Sequence, residues 1–458
     1  MLYEISEKAE REISKYCDNY EIYLEKIEVL QVDSQKSNLS FAKEEINFGI
    51  GIRVINNQKL GFAYTSNMEK IEEVAEKAYL NSKLNEKDEN FSFAYESKLA
   101  KVNNIYDSKF ENLDIKEATD FLESIINISE EEGCEPSSGG FSSSCGESLI
   151  INSNNVSAYN KSTGFSAFIA LNSEKNGEKS TAYDGISSCF LDIDGEKLAR
   201  NTSKIAKNSI GGINVETKDM DVVLDYHAAV GLLGTFINSL NADNVQRGRS
   251  ILADKVGKTI VDDNISIYDD GTLDGGLCSC SADGEGTPSK RTTLVEDGIL
   301  NGFIYDMYTS TKANNEIING TSEESVNSIN EENVSDASIS STGNGFRGAY
   351  ATNPAVTPSN VIFDFKEKIN ISEIESGFLA TDVLGAHTAN PISGDFSVEA
   401  NNAFLIENGE IKEPVKKAMI SGNIFSCLAN CEGLKSEIKQ YGHFIIPKIF
   451  CKGLRVVG

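Results

Sequence analysis

Residues 224–234 read LDYHAAVGLLG and follow the apolar segment MDVV, which predicts a short strand passing directly into a helix. The pattern is that of a helix bearing His-Glu-x-x-x-His, in which two histidines hold zinc and the glutamate activates water. Here His227 occupies the position of the first histidine of the motif, Ala228 that of the glutamate and Leu232 that of the second histidine. Zinc hydrolysis needs two or three protein ligands and a carboxylate base. This segment keeps one of those groups.

The remaining residues of this helix predict a role in packing. Its apolar side would consist of Val230, Leu232, Leu233 and Phe236. A helix turns by about 100° per residue, so ligands five positions apart diverge by roughly 140° and require a distorted helix. Gly231 would ease such a distortion, but Leu232 follows it. We therefore expect a buried helix, with His227 half-buried at its start.

Outward from this helix, the chain is predicted to divide at Gly211-Gly212. Residues 1–212 alternate helical patterns, near 1–17, 114–129 and 196–208, with antiparallel strand patterns. A further split near residue 110 stays open. Residues 213–458 are rich in strand signals, including Asp297-Gly298 and Asn408-Gly409 turns. The prediction is an α+β fold with a helix-and-sheet region at 1–212 and a sheet-rich region at 213–458 around the His227 helix. The acidic stretch 316–340 is predicted to be a loop.

Composition restricts the classes of function. The 458 residues carry a net charge of -28, which argues against direct binding to nucleic acid or to an anionic membrane. No apolar stretch approaches the roughly 20 residues of a membrane span, and no export signal is visible, so a cytoplasmic protein is expected. Its nine cysteines are then expected to be reduced thiols. With three histidines, a histidine-rich metal site is excluded.

Two further groups of residues are candidates for a site. His227 and His387 could share a metal with a carboxylate such as Asp225. The favoured interpretation is that both histidines are relics or packing groups. A peptide-binding groove is the second candidate, formed by Arg291, Asn344 and Arg347. Either arginine could hold a peptide carboxylate while a sheet edge pairs with the peptide. Internal ion pairs explain the same arginines.

Several ordered motifs together resemble one family. They are RGRSILADKVG at 247–257, GTPSKRTTLVEDG at 286–298, NPISGDFS at 390–397, IENGEI at 406–411 and ISGN at 420–423. With residues 221–240, and with residues 51–54 and 151–153 of the first half, they resemble the TldD/PmbA family of peptidase-related proteins. Members of this family have also been described as modulators of DNA gyrase. The likeness extends over nearly the whole chain.

The resemblance implies that zinc is bound in one branch of the family and not in the other. The TldD branch carries His-Glu-x-x-x-His and a downstream cysteine, whereas the PmbA/TldE branch lacks this set. Here residues 384–390, where that cysteine would fall, read LGAHTAN. The chain is therefore similar to the branch without its own zinc, and whether it is an enzyme stays open. It would act with a TldD-like zinc subunit on unfolded or leader peptides. The alternatives are a non-enzymatic homodimeric regulatory protein and an autonomous metallopeptidase with a non-standard site.

Overall fold

The computed structural model of the chain describes residues 1–318 and 338–458, so most of the loop predicted at 316–340 lies outside the described residues. The helices are α1 (Leu2–Ile13), α2 (Ile71–Leu84), α3 (Ile115–Glu131), α4 (Gly195–Asn208), α5 (Tyr226–Asn238), α6 (Ala242–Gln246), α7 (Met307–Ile318) and α8 (Ile424–Leu428).

The strands of the first half are β1 (Tyr20–Gln35), β2 (Asn38–Asn56), β3 (Lys59–Thr65), β4 (Glu135–Asn152), β5 (Ser157–Lys175) and β6 (Glu178–Ser188). Those of the second half are β7 (Lys218–Leu224), β8 (Ile265–Asp270), β9 (Arg291–Glu296), β10 (Ile299–Leu300), β11 (Gly345–Phe346), β12 (Ala355–Val356), β13 (Val361–Phe365), β14 (Lys368–Ile369), β15 (Ser376–Leu384), β16 (Asp395–Glu407), β17 (Glu410–Val415), β18 (Ala418–Asn423), β19 (Cys431–Leu434), β20 (Lys439–Tyr441), β21 (Phe444–Ile446) and β22 (Ile449–Val457).

The first six strands form one antiparallel sheet in the order β3-β2-β1-β4-β5-β6. Successive side chains of a strand point to opposite faces, and the alternating pattern at 21–32 predicts β1 correctly. A two-residue turn at Asn57 and Gln58, with φ of 50° and 63°, joins β2 to β3. Such a turn needs positive φ at both positions, which Asn adopts readily. The Asn-rich segment therefore forms a tight hairpin between β2 and β3.

Helices α1 to α4 cover one face of this sheet. Ile22 and Leu24 of β1 pack with α1 and α2, whereas Leu30 and Val32 of the same strand pack with α3 and α4. All four side chains lie at even-numbered positions and so share a face. Tyr23 points to the opposite face, where it packs against Ala282 of the second half. The sheet therefore lies between the helices and the C-terminal region.

The C-terminal region is built around a closed barrel of five strands. β7 pairs with β15, β15 with β16, β16 with β18, β18 with β22, and β22 again with β7. β7 and β15 are parallel and the other pairs antiparallel. Leu224 at the end of β7 leads into α5, whose Leu232, Leu233 and Phe236 share one apolar core with the barrel strands. The α+β fold with a sheet-rich second region is confirmed.

A second sheet, in the order β10-β9-β8-β13-β21-β20, completes this region. Phe363 of β13 places its ring 6.4 Å from that of Phe236 in α5, so the two sheets meet across this helix. The Asp297-Gly298 turn joins β9 to β10, and the Asn408-Gly409 turn joins β16 to β17. Both turns have positive φ at both residues, as the sequence predicts.

The cysteines correct one expectation. Cys427 of α8 and Cys451 of β22 form a disulfide across a Cα–Cα distance of 5.6 Å. The other seven cysteines are free, as predicted. Cys427 stands four residues from Cys431, but its partner comes from the last strand, because the barrel packs β22 against α8. No helix in the described part of the chain is long and apolar enough to cross a membrane.

Candidate functional site

The first turn of α5 is fixed by Asp225. Its Oδ1 accepts a hydrogen bond from the backbone N–H of Tyr226 at 2.8 Å, which makes Asp225 the N-cap. Its Oδ2 lies 2.7 Å from Lys448 Nζ. Both carboxylate oxygens are thus engaged within the chain. This carboxylate, which could have completed a metal site with His227, caps α5 and forms an ion pair with Lys448.

His227 makes its main contact with the other half of the molecule. Its Nε2 lies 2.9 Å from Oδ1 of Asp184, a residue of β6, and 27% of the His227 side chain is exposed. The ring of Tyr441 meets the imidazole edge-on at 4.7 Å, and that of Tyr183 does so at 5.8 Å. The Tyr441 hydroxyl lies 3.3 Å from the same Asp184 oxygen. His227 therefore connects the helix to the first sheet.

The charges around His227 favour its protonated form. Burial lowers the pKa of His227, but the hydrogen bond and negative charge of Asp184, together with the charges of Asp382 and Asp225, raise that pKa above its ordinary value of 6.5. Burial raises the pKa of Asp184, and the contact with His227 outweighs this effect and lowers it. The contact thus favours the ion pair of His227 and Asp184 over the two neutral groups. A protonated imidazole is a poor metal ligand because the nitrogen lone pair is occupied.

The other two positions of the motif face the apolar core. Ala228 is fully buried and Leu232 is 1% exposed, both within the cluster shared by α5 and the barrel. A Cβ added at Gly231 would lie 3.2 Å from Cβ of Ala386, so this glycine permits close approach of the segment after β15. The helix is apolar where a zinc peptidase has its base and second ligand. These residues do not fit a zinc ion.

His387 lies apart from the contacts of His227. It is exposed on a 3-10 turn at Ala386–Thr388, which follows the end of β15. In residues 1–318 and 338–458, no group of three or more His, Cys, Asp or Glu side chains is arranged to hold a metal ion. A metal shared by His227 and His387 stays an untested prediction. In this structure Nε2 of His227 contacts the carboxylate of Asp184.

Arg347 belongs to a buried network between the two halves. Its side chain is 1% exposed and forms an ion pair with Glu21 of β1, which Arg53 of β2 also contacts at 2.9 Å. Arg53 reaches Glu285 at 3.2 Å. Arg347 Nε also donates to the carbonyl of Gly284 at 2.7 Å. The internal ion pair, which the sequence left open as an alternative, is the arrangement observed for Arg347.

The carboxyl groups of this network are strongly perturbed. Burial raises the pKa of Glu285, and Asp306 and Asp283 raise it further against the opposing charge of Arg53. Burial also raises the pKa of Asp283, although backbone N–H groups of Gly345, Glu285 and Thr287 stabilise its charge. The enclosed carboxyl groups outnumber the two guanidinium groups. The network therefore disfavours full ionisation of its acids.

Asn344 and Arg291, the other two groove candidates, lie in different environments. Asn344 is fully buried, and its Nδ2 donates to Asp269 Oδ2 at 2.7 Å and to the carbonyl of Thr357 at 3.0 Å. Arg291, at the start of β9, is 51% exposed and lies 3.9 Å from Asp270. Its guanidinium stacks on the ring of Tyr268 at 4.0 Å. Of the three, Arg291 presents its charge to solvent.

A cavity of about 170 Å³ opens beside the His227 contacts. Asp184, Lys197, Glu437, Lys439 and Tyr441 are among its lining residues, so β6, the start of α4 and the β20 segment all contribute. Sequence reasoning missed Asp184 and Tyr441, because one lies on the edge strand of the first sheet and the other near the C-terminus. Neither belongs to a local motif, and the fold alone brings them to His227.

Comparison with known proteins identifies the family. A family model for the PmbA/TldA metallopeptidase C-terminal domain matches residues 217–458, and models for domain 1 and the central domain match residues 20–82 and 108–210. The chain belongs to this PmbA/TldD metallopeptidase family.

Individual relatives agree with this membership. An uncharacterized protein of Methanocaldococcus jannaschii is 32% identical, with 93% of each chain covered. Metalloprotease PmbA of Escherichia coli O157:H7 is 25% identical over 69% of this chain and 64% of its own length. The crystal structure of TldE from Thermococcus kodakarensis superposes with a TM-score of 0.87 at 23% identity, over 99% of this chain and 100% of that one. This structural likeness shows a shared fold.

Proposed function

We propose that this chain is a PmbA/TldE-like subunit of a peptidase complex, and that a second, TldD-like subunit holds the zinc that cleavage requires. The burial of Ala228 and Leu232 in the core carries the proposal. A zinc ion needs polar donors and an open coordination position for water. At these two positions the chain has the apolar side chains of Ala228 and Leu232, which pack in the core shared with the barrel and have no donor atom for zinc.

The proposed substrates are unfolded or leader peptides. An extended peptide is recognised through backbone hydrogen bonds and through pockets that take its side chains or its ends. Arg291 supports this role, since Tyr268 holds its guanidinium while half of the side chain stays exposed. A bidentate contact with a peptide carboxylate would suit this geometry.

The test is a cleavage assay with three samples: this chain, a zinc subunit that bears an intact His-Glu-x-x-x-His, and their mixture. We expect cleavage of an unfolded peptide by the mixture and its loss on chelation. The mixture should exceed the sum of the separate subunits. An Arg291→Gln variant of this chain should raise KM for a peptide with a free carboxylate more than it lowers kcat, whereas Arg455→Gln, an exposed arginine on β22, serves as the control.

Two results would contradict the proposal. Chelator-sensitive cleavage by this chain alone, abolished by His227→Ala, would make it an autonomous metallopeptidase. The second result is that the zinc subunit is equally active with and without this chain, and that light scattering detects no complex at those concentrations. This result would contradict the subunit role and favour the non-enzymatic regulatory alternative.

A further inference from the structure

Three cysteines lie where α8, β19 and β22 pack together. Cys427 of α8 forms the disulfide with Cys451 of β22, and Cys431 is the first residue of β19. Cys427, Cys451 and Cys431 are 2%, 0% and 1% exposed, and all three belong to the core shared by α5 and the barrel. A thiolate breaks a disulfide by attacking one of its sulfurs. The third cysteine therefore gives this disulfide an internal reaction partner.

The strand register places Cys431 within bonding reach of Cys451. The two residues stand directly opposite each other in the antiparallel pair of β19 and β22. Opposite residues share a face and have Cα atoms about 4.5–5.5 Å apart, which lies within the roughly 4.4–6.8 Å that a disulfide spans. Sγ of Cys431 lies 3.8 Å from the carbonyl oxygen of Leu428, so it points to the helix that carries Cys427. Cys451 thus has two cysteines at bonding distance.

Chain connectivity does not decide between these two partners of Cys451. Cys431 follows Cys427 by four residues, so a bond to either one closes a loop of nearly the same length. The entropy of loop closure changes only slowly with loop length. The packing of α8 against its neighbours therefore decides which bond is favoured.

We propose that Cys427, Cys431 and Cys451 form a disulfide-exchange site. The thiolate of Cys431 attacks Sγ of Cys451, the bond from Cys451 to Cys427 breaks, and a new bond joins Cys431 to Cys451. The electron pair of the broken bond leaves with Cys427, which takes up the proton that Cys431 gave up. One disulfide replaces another, so the step needs no oxidant or reductant. It does not depend on the peptidase role proposed above.

The exchange changes what holds α8 in place. In the structure, the disulfide joins this helix to β22. The ring of Phe425 in α8 lies 5.6 Å from that of Phe236 in α5, and the N–H of Ile424 donates to the carbonyl of Gly394 at 2.9 Å. After the exchange, α8 keeps these contacts but loses its covalent link to the barrel. The C-terminal half of the His227 helix and the turn at Gly394 then rest on a less stable neighbour.

Burial keeps the exchange slow while the chain is folded. Burial raises the pKa of the Cys431 thiol, and the charges of Asp262 and Glu432 raise that pKa further. Glu432 in turn pairs with Lys452 of β22 at 2.6 Å. Because the thiolate is the nucleophile, the exchange becomes faster as pH rises. The same burial excludes dissolved thiols, so the neighbouring Cys431 is the thiol that can react.

The test maps the disulfide in the full chain purified without reductant. The chain is held near pH 7 or near pH 9, quenched with acid, unfolded near pH 5 with N-ethylmaleimide, and digested with pepsin for mass spectrometry. We expect the bond between Cys427 and Cys451 at first, and then a growing fraction with Cys431 bonded to Cys451 and Cys427 labelled. This fraction should grow about tenfold or more faster near pH 9. Cys431→Ser should keep the first bond, whereas Cys134→Ser, which removes a buried free cysteine elsewhere, should exchange like the original chain.

Several results would overturn the proposal, and the unmodified chain alone can give three of them. These are three reduced thiols at 427, 431 and 451, a first bond that persists unchanged near pH 9, and transfer of the bond to cysteines elsewhere in the chain. Circular dichroism checks that each variant is folded. Cys427→Ser treated with the oxidant diamide should form the bond between Cys431 and Cys451, and its absence would also overturn the proposal.

Hydrogen exchange measures the effect on α8. It compares Cys431→Ser, in which the bond to α8 cannot move, with oxidised Cys427→Ser, in which the bond joins β19 to β22. The amides of α8 should exchange about tenfold or more faster in the second variant, because the helix is then held by packing alone. Equal rates in the two variants would overturn the control of α8 by the disulfide.

Discussion

His227 contacts a carboxylate of the other half of the chain. In a zinc helix this side chain would direct a neutral nitrogen at the ion, whereas here Nε2 meets the carboxylate of Asp184 at 2.9 Å. Edge-on contacts with Tyr441 and Tyr183 enclose the ring. The same residue type therefore joins two halves of the chain by a charge-assisted hydrogen bond, which is stronger than one between neutral groups.

This contact should make stability depend on pH. A histidine whose pKa is raised on folding contributes stability that is complete below its unfolded pKa, near 6.5, and is lost as pH rises through the folded value. We expect Asp184→Asn to lower the free energy of unfolding by about 1–2 kcal/mol near pH 6 and by less near pH 8.5. Denaturant titrations of both proteins across this range measure the difference. A deficit that is the same at both pH values would contradict the ion pair.

The N-terminal sheet meets the C-terminal region through an ion-pair network as well as through apolar contacts. Glu21 and Arg53 lie opposite each other in β1 and β2, and Arg347 and Glu285 approach them from two loops of the second half. A buried ion pair is not by itself strongly stabilising, because its groups lose their hydration. Removing one partner is costly, since a charge is then left buried without compensation.

Arg347→Met should therefore destabilise the chain much more than its loss of packing suggests. It leaves Glu21 with Arg53 as its remaining cation, and we expect a loss of about 3–5 kcal/mol. The measurement is the denaturant dependence of unfolding, followed by tyrosine fluorescence and by circular dichroism. Arg200→Met is the matched control, because Arg200 is 49% exposed and pairs with Glu132 and Glu196 at the surface. That change should cost about 1 kcal/mol or less, and equal losses would contradict the role of the network.

Over the whole molecule, local features were predictable and distant pairings were not. The Asp297-Gly298 and Asn408-Gly409 turns need only adjacent residues, and the structure contains both. Closure of the barrel depends on β22 pairing with β7, more than 200 residues earlier in the chain. No local periodicity encodes that pairing, and the disulfide between Cys427 and Cys451 follows from the same closure.

The candidate site shows the same limit. The sequence indicated that Ala228 and Leu232 cannot serve zinc, since side-chain chemistry decides this without a fold. It could not indicate that Asp184 binds His227, or that Arg347 is buried against Glu21, because these partners are distant in sequence. Arg291 and Arg347 look alike in sequence. The burial of Arg347 beneath the first sheet separates them.

The central claim is that the His227 helix does not hold a catalytic zinc, and zinc content tests it most directly. The chain is purified after growth with added zinc and dialysed against metal-free buffer, beside a family member with intact His-Glu-x-x-x-His as a positive control. Mass spectrometry of the metal should find far less than one zinc per chain, with the same small amount in His227→Ala. One zinc per chain, lost in His227→Ala while the fold is retained, would contradict the account.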